Sequence, residues 1–369
     1  MPQVRRIAFC VTSLGIGGAE RCLSHLATRL PREEFACEVH VLQARPVPDA
    51  CALVDAMEAA DVPLYFYDAT RVSDGPGLIR RLGDAWRRSR PQLVQSMMFH
   101  ANVAAALAAR RAGVELHVTG IRAAERTANW RAKVERIFVR SAARHVCVSA
   151  AVADYARSVG RLPESSLVVI PNGVDVSTFR DALPVGDPSF RPITFVGRIA
   201  AQKNVVELIH HASRFLDALP QHGLWIVGDG PLLGEAQAVA GRLGNRIEFL
   251  GLRDDIPAIL KTSELLVLPS HWEGMPNVVL EAMAAGLPVV ATDVEGIREL
   301  LGPRGAEQIV PVGDMQALAQ RIVSIARQPA LAAELGAANA ARAAEEFSVE
   351  MMLERYIRLY DELLRISSS

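Results

Sequence analysis

The run Ile7-Ala-Phe-Cys-Val-Thr-Ser-Leu-Gly-Ile-Gly-Gly-Ala-Glu20 joins an apolar segment to a glycine-rich turn, and a helical pattern follows over residues 19–30. A short apolar run that ends in glycine predicts a buried strand, and the glycines let the chain turn at once into a helix. The amides of such a turn and the positive end of the helix suit an anionic ligand. Gly17 and Gly18 are therefore candidate ligand contacts, although a tight turn without a ligand explains them equally well.

The same alternation of strand and helix continues through the first half of the chain. Besides residues 19–30, a helix is predicted over residues 51–60. Strands are predicted at residues 7–12, 37–42, 63–67, 93–97, 116–120, 145–149 and 167–170. Strands that alternate with helices predict a parallel sheet with helices on both of its faces.

After a segment rich in turn residues, Pro171–Pro188, the pattern starts again. Strands are predicted at residues 193–197, 223–227, 246–250, 265–268, 288–291 and 307–310, with helices over 205–218 and 233–243 and a final amphipathic helix over 349–366. We therefore predict an N-terminal domain at 1–180, a C-terminal domain at 181–348 and a last segment at 349–369 that packs back on the first domain. Two such sheets place their ligands outside the carboxyl ends of the strands, in a cleft between the domains.

The second domain has its own strand-to-helix turn, Gly197-Arg-Ile-Ala-Ala-Gln-Lys-Asn204. Arg198 and Lys203 flank the start of the helix, where a planar guanidinium and a compact ammonium can clamp a diphosphate. Either residue alone is also compatible with an ordinary surface cation. The combination of glycine, Arg and Lys at the end of a strand favours the diphosphate site.

A second candidate site lies in Ser270-His-Trp-Glu-Gly-Met-Pro-Asn-Val-Val-Leu-Glu-Ala-Met-Ala-Ala-Gly286. Glu273 precedes a helix that Pro276 starts, and Glu281 lies inside that helix, where a carboxylate near the positive end is common without any ligand. Carboxylates suit sugar hydroxyls and free amides suit a phosphate. The intervening amides of Gly274, Met275, Asn277 and Val278 form the predicted beginning of the helix, and together with the two acids they predict a pocket for a nucleotide sugar.

His100 ends a predicted strand of the first domain, where a lone histidine is more often structural than catalytic. The remaining histidines lack carboxylate or Cys partners at metal-ligand spacing, so we expect no metal site. The five cysteines are scattered without a CxxC pair, which favours a reducing cytoplasm. The basic and apolar start is better explained by a first strand than by a signal peptide, and no apolar run is long enough to span a bilayer.

The charge of the chain is distributed unevenly. Residues 1–180 carry 24 Lys/Arg against 17 Asp/Glu, whereas residues 181–369 carry 16 against 24. Most of the basic surplus falls within residues 75–145, which is compatible with an anionic partner and equally with solvated helix faces. We expect no nucleic-acid partner.

With these motifs, the chain resembles glycosyltransferase family 4, whose members have the α/β GT-B fold of two Rossmann-like domains. The resemblance rests on the following segments, which run from Gly15 nearly to the final helix: Gly17-Gly-Ala-Glu20, Pro171-Asn-Gly-Val-Asp175, Gly197-Arg198 with Lys203-Asn204, Val227-Gly-Asp-Gly-Pro231, Gly251-Leu-Arg-Asp254, and Glu273 with Glu281 as an E-x7-E pair. The order and spacing of these segments together are highly specific.

The resemblance implies roles for the matching positions. Arg198 and Lys203 would hold the donor diphosphate, with Gly17 and Gly18 approaching it. Glu281 would bind the ribose, Glu273 and the amides of residues 274–278 would contact the transferred sugar, and the backbone around Arg253 would meet the base. His100 would contact the sugar, and Glu273, His100, Arg198 and Lys203 together would form the catalytic group.

The resemblance also implies an activity: transfer of a sugar from a UDP- or GDP-sugar to an acceptor hydroxyl, with retention of configuration and without a metal or other cofactor. The setting would be bacterial surface polysaccharide, lipopolysaccharide or glycolipid synthesis, in the cytoplasm or peripherally at the inner face of the membrane. The acceptor would be a glycan or a lipid-linked group, and the basic surplus of the first domain would suit an anionic membrane surface. Two alternatives stay open, a sugar-nucleotide-binding protein without catalysis and a sugar-nucleotide epimerase. An NAD-dependent dehydrogenase is disfavoured because neither glycine turn completes a GxGxxG fingerprint.

Overall fold

A computed structural model describes residues 4–15, 17–47, 51–124, 129–186, 188–241 and 244–366. The described residues divide into two compact units. Unit 1 comprises those up to Asn172 and those from Met352 onward, and unit 2 comprises Gly173–Met351. The sequence-based boundary after residue 180 differs because the short helix Val176–Arg180 packs on helices of unit 2.

Unit 1 contains a parallel sheet of seven strands in the order β3-β2-β1-β4-β5-β6-β7. The core strands are buried on both faces, as their continuous apolar runs require. The strands are β1 (Arg5–Val11), β2 (Phe35–Val41), β3 (Leu64–Phe66), β4 (Leu93–Met97), β5 (Leu116–Ile121), β6 (Arg144–Cys147) and β7 (Leu167–Val169). Its helices are α1 (Gly18–Arg29), α2 (Ala52–Ala59), α3 (Gly75–Ser89), α4 (Phe99–Ala112), α5 (Asn129–Val139) and α6 (Ala150–Ser158).

Unit 2 contains a parallel sheet of six strands in the order β10-β9-β8-β11-β12-β13. The strands are β8 (Arg191–Val196), β9 (His222–Val227), β10 (Ile247–Gly251), β11 (Leu265–Leu268), β12 (Val289–Thr292) and β13 (Ile309–Val310). The helices are α7 (Val176–Arg180), α8 (Val205–His210), α9 (Ser213–Leu216), α10 (Leu233–Ala240), α11 (Ile256–Thr262), α12 (Asn277–Ala284), α13 (Ile297–Leu301), α14 (Met315–Ala326) and α15 (Pro329–Glu346), and α16 (Val349–Ile366) leads back into unit 1.

One predicted helix is wrong in its extent. The pattern over residues 205–218 is two short helices, α8 and α9, because the chain turns at His211 and Ala212. That turn directs Phe215 and Leu216 into the core of unit 2. The helix predicted over residues 233–243 ends at Ala240, and residues 242–243 lie outside the described part of the chain.

Both sheets reverse their strand order beside their first strand. In unit 1 the reversal lies between β1 and β4, and in unit 2 it lies between β8 and β11. Open parallel sheets bind ligands outside the carboxyl ends of the strands at this point, because the loops leave in opposite directions and open a crevice there. The residues just after these four strands are therefore where a ligand is expected.

Helix α16 completes the core of unit 1. Tyr356 and Tyr360 are fully buried, and the Tyr360 hydroxyl donates to Oε1 of Gln95 at 3.2 Å. At the surface, Arg144 pairs with Glu362 at 2.7 Å. Among the described residues, no helix is long and apolar enough to cross a membrane.

Candidate functional site

A buried ion pair lies at the strand-order reversal of unit 2. Lys203, which follows β8, donates from Nζ to Oε1 of Glu273, which follows β11, at 2.6 Å. The Ser270 hydroxyl donates to the same carboxylate oxygen at 2.7 Å. The side chains of Lys203 and Glu273 are 16% and 8% exposed, so water screens their attraction only weakly. Two residues predicted separately from the sequence thus form one charged unit.

The loops that carry these two residues are also joined through their backbones. The amide of His271 donates to the Gln202 carbonyl at 2.8 Å, and Nε2 of Gln202 donates to the Trp272 carbonyl at 2.8 Å. Residue 202 precedes the lysine and residues 271 and 272 precede the glutamate. The ion pair is therefore held from both sides, which reduces the reorganisation that its charges undergo when a ligand binds.

A third loop, after β12, supports Glu273 and was missed in the sequence. Glu295 is buried, and its Oε2 accepts the amide of Glu273 at 3.2 Å. Gly296 follows with φ +80°, and a Cβ there would lie 2.7 Å from the Gly274 carbonyl oxygen. The acid and glycine after a predicted strand were the available signal, since the same rule had identified the turns after β1 and β8.

Helix α12 begins at Asn277, with Pro276 as its capping residue. The predicted start of the helix is therefore corrected for Gly274 and Met275, which lie before its first turn, whereas Asn277 and Val278 form its first residues. The correction has a physical reason, because the glycine and methionine are in the loop that packs against Gly296. Glu281 is in the second turn of the helix and is buried, with an exposed fraction of 6%.

The turn after β9 is hydrogen-bonded to, and packs closely against, the turn after β8. The amides of Gly197 and Ile199 donate to the Val227 and Asp229 carbonyls, each at 2.9 Å. A Cβ on Gly228 would lie 2.1 Å from the Gly197 carbonyl oxygen, and one on Gly230 would lie 2.3 Å from that of Ile199. Glycine is thus needed at both ends of the Gly-Asp-Gly motif because the two backbones approach closely there. The contact holds in place the turn that carries Arg198 and Lys203.

Two further residues of unit 2 that are predicted to contact the ligand differ in whether their side chains already have partners. Arg198 is exposed and, within the described part of the chain, its guanidinium has no hydrogen-bond or ion-pair partner. Arg253 instead pairs with Asp255, at 2.7 Å from Nε and 2.5 Å from the terminal nitrogen. The Arg253 side chain thus has an ion-pair partner, and the contact of this loop's backbone with a base stays a prediction.

At the strand-order reversal of unit 1, a carboxylate of the chain itself lies at the N-terminal end of α1. Glu20 folds back over Gly17, where a Cβ would lie 2.3 Å from its Oε2, and Ser13 donates to Oε1 at 3.2 Å. Burial raises the pKa of Glu20, whereas its own amide, Ser13 and Arg122 act to lower the pKa. The positive end of α1, which begins at Gly18, is therefore balanced in part by its own chain.

His100 lies in the first turn of α4, directly after β4, and is exposed to solvent. Its ring contacts Phe99 edge to face at 5.1 Å, and Phe99 contacts Trp130 of α5 at 5.8 Å. Partial burial lowers the pKa of His100, and the Arg131 charge acts in the same direction. The imidazole is therefore neutral near pH 7, which lets it donate and accept hydrogen bonds.

The structure thus brings together, within unit 2, the predicted Arg198, Lys203 and Glu273, with Glu281 on the adjoining helix. It places Gly17, Gly18 and His100 at the corresponding reversal of unit 1. Across the described ranges, no three His, Cys, Asp or Glu side chains are grouped as metal ligands. What these arrangements offer chemically is positive charge and amides for a phosphate, next to buried carboxylates for hydroxyl groups.

Two family descriptions match the chain. Residues 16–178 match "Glycosyltransferase Family 4", and residues 191–328 match "Glycosyl transferases group 1".

Similar proteins agree with these matches. A UDP-Gal:alpha-D-GlcNAc-diphosphoundecaprenol alpha-1,3-galactosyltransferase of Escherichia coli is 26% identical over 331 residues, covering 84% of this chain and 85% of the relative. An alpha-maltose-1-phosphate synthase of Mycolicibacterium smegmatis is 30% identical, covering 73% of this chain and 78% of the relative. Anabaena HepE, solved in complex with UDP-glucose, has a TM-score of 0.83 at 22% identity and covers 97% of this chain and 99% of its own, which shows a shared fold.

Proposed function

The chain belongs to glycosyltransferase family 4, and on that premise we propose that unit 2 binds a UDP- or GDP-linked sugar at the reversal between β8 and β11. The observation that supports this most directly is the Lys203–Glu273 pair, whose lysine shares a turn with Arg198, an exposed residue whose guanidinium has no hydrogen-bond or ion-pair partner among the described residues. A donor of this kind presents a diphosphate next to sugar hydroxyls. The site offers two cations for the first and a buried carboxylate for the second.

In the proposed reaction, the bond between the anomeric carbon and the diphosphate oxygen breaks, and its electron pair stays on the diphosphate. An acceptor hydroxyl oxygen forms the new bond to the anomeric carbon, and its proton passes to the departing diphosphate. Arg198 and Lys203 stabilise the charge that grows on the leaving group, because they are positioned before the reaction begins. These two cations support the proposal that no metal or other cofactor is required.

We propose that the sugar keeps its anomeric configuration. Glu273 serves as a hydrogen-bond acceptor for the sugar hydroxyls rather than as a nucleophile, since Lys203 and Ser270 already occupy one of its oxygens. Glu281 is assigned to the ribose, and Gly17, Gly18 and His100 keep their predicted roles at the donor. Analysis of the product by NMR distinguishes retention from inversion, and an inverted product overturns this part of the proposal.

The acceptor proposed here is a hydroxyl of a lipid-linked glycan. The E. coli relative acts on a diphosphoundecaprenol-linked sugar according to its name. The setting would be the synthesis of surface polysaccharide or glycolipid at the inner face of the membrane. A panel of short-chain diphosphate-linked glycans tests this class without requiring a membrane.

The decisive experiment has two stages. Thermal unfolding is first measured with UDP, GDP and their sugars, since a ligand at one hundred times its Kd stabilises the folded protein by about 2.7 kcal/mol. Transfer by the wild type is then compared with Glu273→Gln, Glu281→Gln and Lys203→Met, with Lys261→Met as a matched control on α11. We expect Glu281→Gln to weaken donor binding and Glu273→Gln to lower turnover at nearly unchanged donor affinity.

Four results would contradict the proposal or one of its parts. Stabilisation by none of the nucleotides would exclude donor binding. Binding without any transfer or hydrolysis would indicate a protein that has lost its chemistry, and conversion of the donor sugar to its epimer without an acceptor would indicate an epimerase. Activity that EDTA abolishes and Mg²⁺ restores would overturn metal independence.

A further inference from the structure

One helix of unit 1 exposes large apolar side chains between cations. The outward face of α5, which we define as Trp130, Lys133 and Ile137 together with Arg140 one residue past the end of the helix, has spacings of three, four and three residues, so its helical members share one side of the helix. Trp130 and Ile137 are 58% and 68% exposed. Two large apolar side chains exposed on the same side of one helix, with cations between and beside them, are a feature of interaction surfaces.

The opposite side of α5 is anchored in the unit. Val139 is fully buried, and the carboxylate of Glu135 accepts Nδ2 of Asn102, on α4, at 2.5 Å. Glu135 is the sole acidic residue of the helix sequence, and it is turned inward. The outward face therefore carries cations without a compensating acid on its own helix.

Three cations of α5 and its C-terminal end differ in their pairing from other cations of the basic segment at residues 75–145. On α3 and α4, Arg87 and Arg111 both pair with Asp84. Within the part of the chain that the structure describes, Lys133, Arg136 and Arg140 form no ion pair or hydrogen bond through their side chains. The basic surplus thus includes a cluster of unpaired charges next to exposed apolar groups.

The position of this face adds a second argument. Its first residue, Trp130, contacts Phe99, and Phe99 precedes His100 at the start of α4. The Arg131 guanidinium lies 5.8 Å from the Phe99 ring centre. The outward face of α5 therefore begins beside the strand-order reversal of unit 1, where a ligand of this sheet is expected.

We propose that the outward face of α5 docks on an anionic phospholipid bilayer. Trp130 and Ile137 enter the boundary between headgroups and acyl chains, while Lys133 and Arg140 of this face, together with Arg136 one turn before Arg140, contact the lipid phosphates. Resting on the proposed function, this contact presents the hydroxyl of a lipid-anchored acceptor near His100, because one end of the face lies there. The occupant follows from charge complementarity together with the exposed tryptophan.

Flotation of the full chain with vesicles tests the contact. The probes are phosphatidylglycerol-containing vesicles and neutral phosphatidylcholine vesicles. We expect the wild type to bind the anionic vesicles less tightly as salt is added. Partitioning should fall roughly fivefold for each of Lys133, Arg136 and Arg140 that is replaced by Ala, and about tenfold in Trp130→Ala/Ile137→Ala; these substitutions are the α5 variants. The matched charge control is Arg80→Ala/Arg88→Ala/Arg110→Ala, three exposed cations of α3 and α4, and the apolar control is Ile366→Ala. Thermal unfolding checks that each variant is folded.

Activity assays separate this inference from the proposed function. The α5 variants should transfer sugar to a water-soluble acceptor as fast as the wild type, but more slowly to the same glycan embedded in anionic vesicles. Absence of transfer to either acceptor by the wild type would contradict the function, whereas vesicle binding would stand or fall independently. Equal partitioning of wild type and α5 variants, or a wild-type dimer that Trp130→Ala/Ile137→Ala dissociates, would overturn the membrane contact.

Discussion

Replacing Lys203 with methionine removes the positive partner of a buried carboxylate and leaves the volume nearly unchanged. Lys203 Nζ and Glu273 Oε1 are 2.6 Å apart, which corresponds to a Coulomb attraction of about 6 kcal/mol at an effective dielectric constant of 20. Desolvation of the two groups offsets much of that attraction. The unpaired Glu273 would nevertheless remain 8% exposed, so we expect the free energy of unfolding of unit 2 to fall by about 3 kcal/mol.

A double-mutant cycle assigns this loss to the charge rather than to packing. Glu273→Gln keeps an acceptor for the Ser270 hydroxyl and removes the buried charge. We therefore expect Lys203→Met/Glu273→Gln to regain about 2 kcal/mol relative to Lys203→Met alone. Turnover should behave differently, because both variants lack the cation proposed for the diphosphate, and we expect kcat to stay about 100-fold below wild type in each.

The assay is thermal unfolding followed by fluorescence, with Lys261→Met as the control for loss of a lysine. For a unit of this size, a loss of 3 kcal/mol corresponds to a decrease in Tm of about 6–12 °C. A free energy of unfolding of Lys203→Met within about 1 kcal/mol of the wild-type value would refute a stabilising role of the ion pair, and so would a failure of Glu273→Gln to restore stability.

Three further predictions concern the surroundings of the site and the anchor of α5. Gly230→Ala places a Cβ against a neighbouring carbonyl, so we expect the free energy of unfolding, measured in urea, to fall by about 2 kcal/mol. The control Gly234→Ala has open space around its Cβ and should leave that free energy unchanged. Equal effects of the two substitutions would exclude the clash. Glu295→Ala removes the carboxylate that accepts the Glu273 amide, so we expect kcat to fall about tenfold with little change in the KM for the donor. Glu295→Gln should recover most of the lost kcat. A change confined to KM would contradict the positioning role of Glu295. Burial raises the pKa of Glu135 from 4.5 to about 7, although Asn102 acts to lower it, so its contribution to stability is complete below pH 4.5 and is lost as the pH rises to 7. Glu135→Gln should abolish about 3 kcal/mol of that pH dependence in urea titrations, and an unchanged pH profile would show that another group is responsible.

Much of the fold could be predicted because each strand is a short apolar run with a turn residue after it. The predicted family, GT-B fold and glycosyltransferase activity are confirmed. The predicted helix over residues 205–218 failed at His211 and Ala212, since nothing local in the sequence marks a turn that tertiary packing of Phe215 imposes. Helix periodicity alone does not reveal such breaks.

The site was predictable in its members more than in its contacts. Arg198, Lys203 and Glu273 follow strands, and strand ends are recognisable from the pattern of apolar residues. That Lys203 and Glu273 bond each other could not be predicted, because it depends on β8 and β11 being neighbours in the sheet. Glu295 could have been identified from its position after a predicted strand, but its contact with Glu273 could not, because that contact depends on the pairing of β11 with β12.

The two-segment composition of unit 1 has a consequence for how the chain is synthesised. Unit 2 occupies one continuous segment, Gly173–Met351, whereas unit 1 lacks Tyr356 and Tyr360 until the last helix is translated. On the ribosome, the unit whose sequence starts second is therefore the first to have all of its residues. An early stop codon before Met352 should release a chain with a complete unit 2 and an unfilled space in the core of unit 1, an exposed apolar surface of the kind that chaperones and proteases recognise.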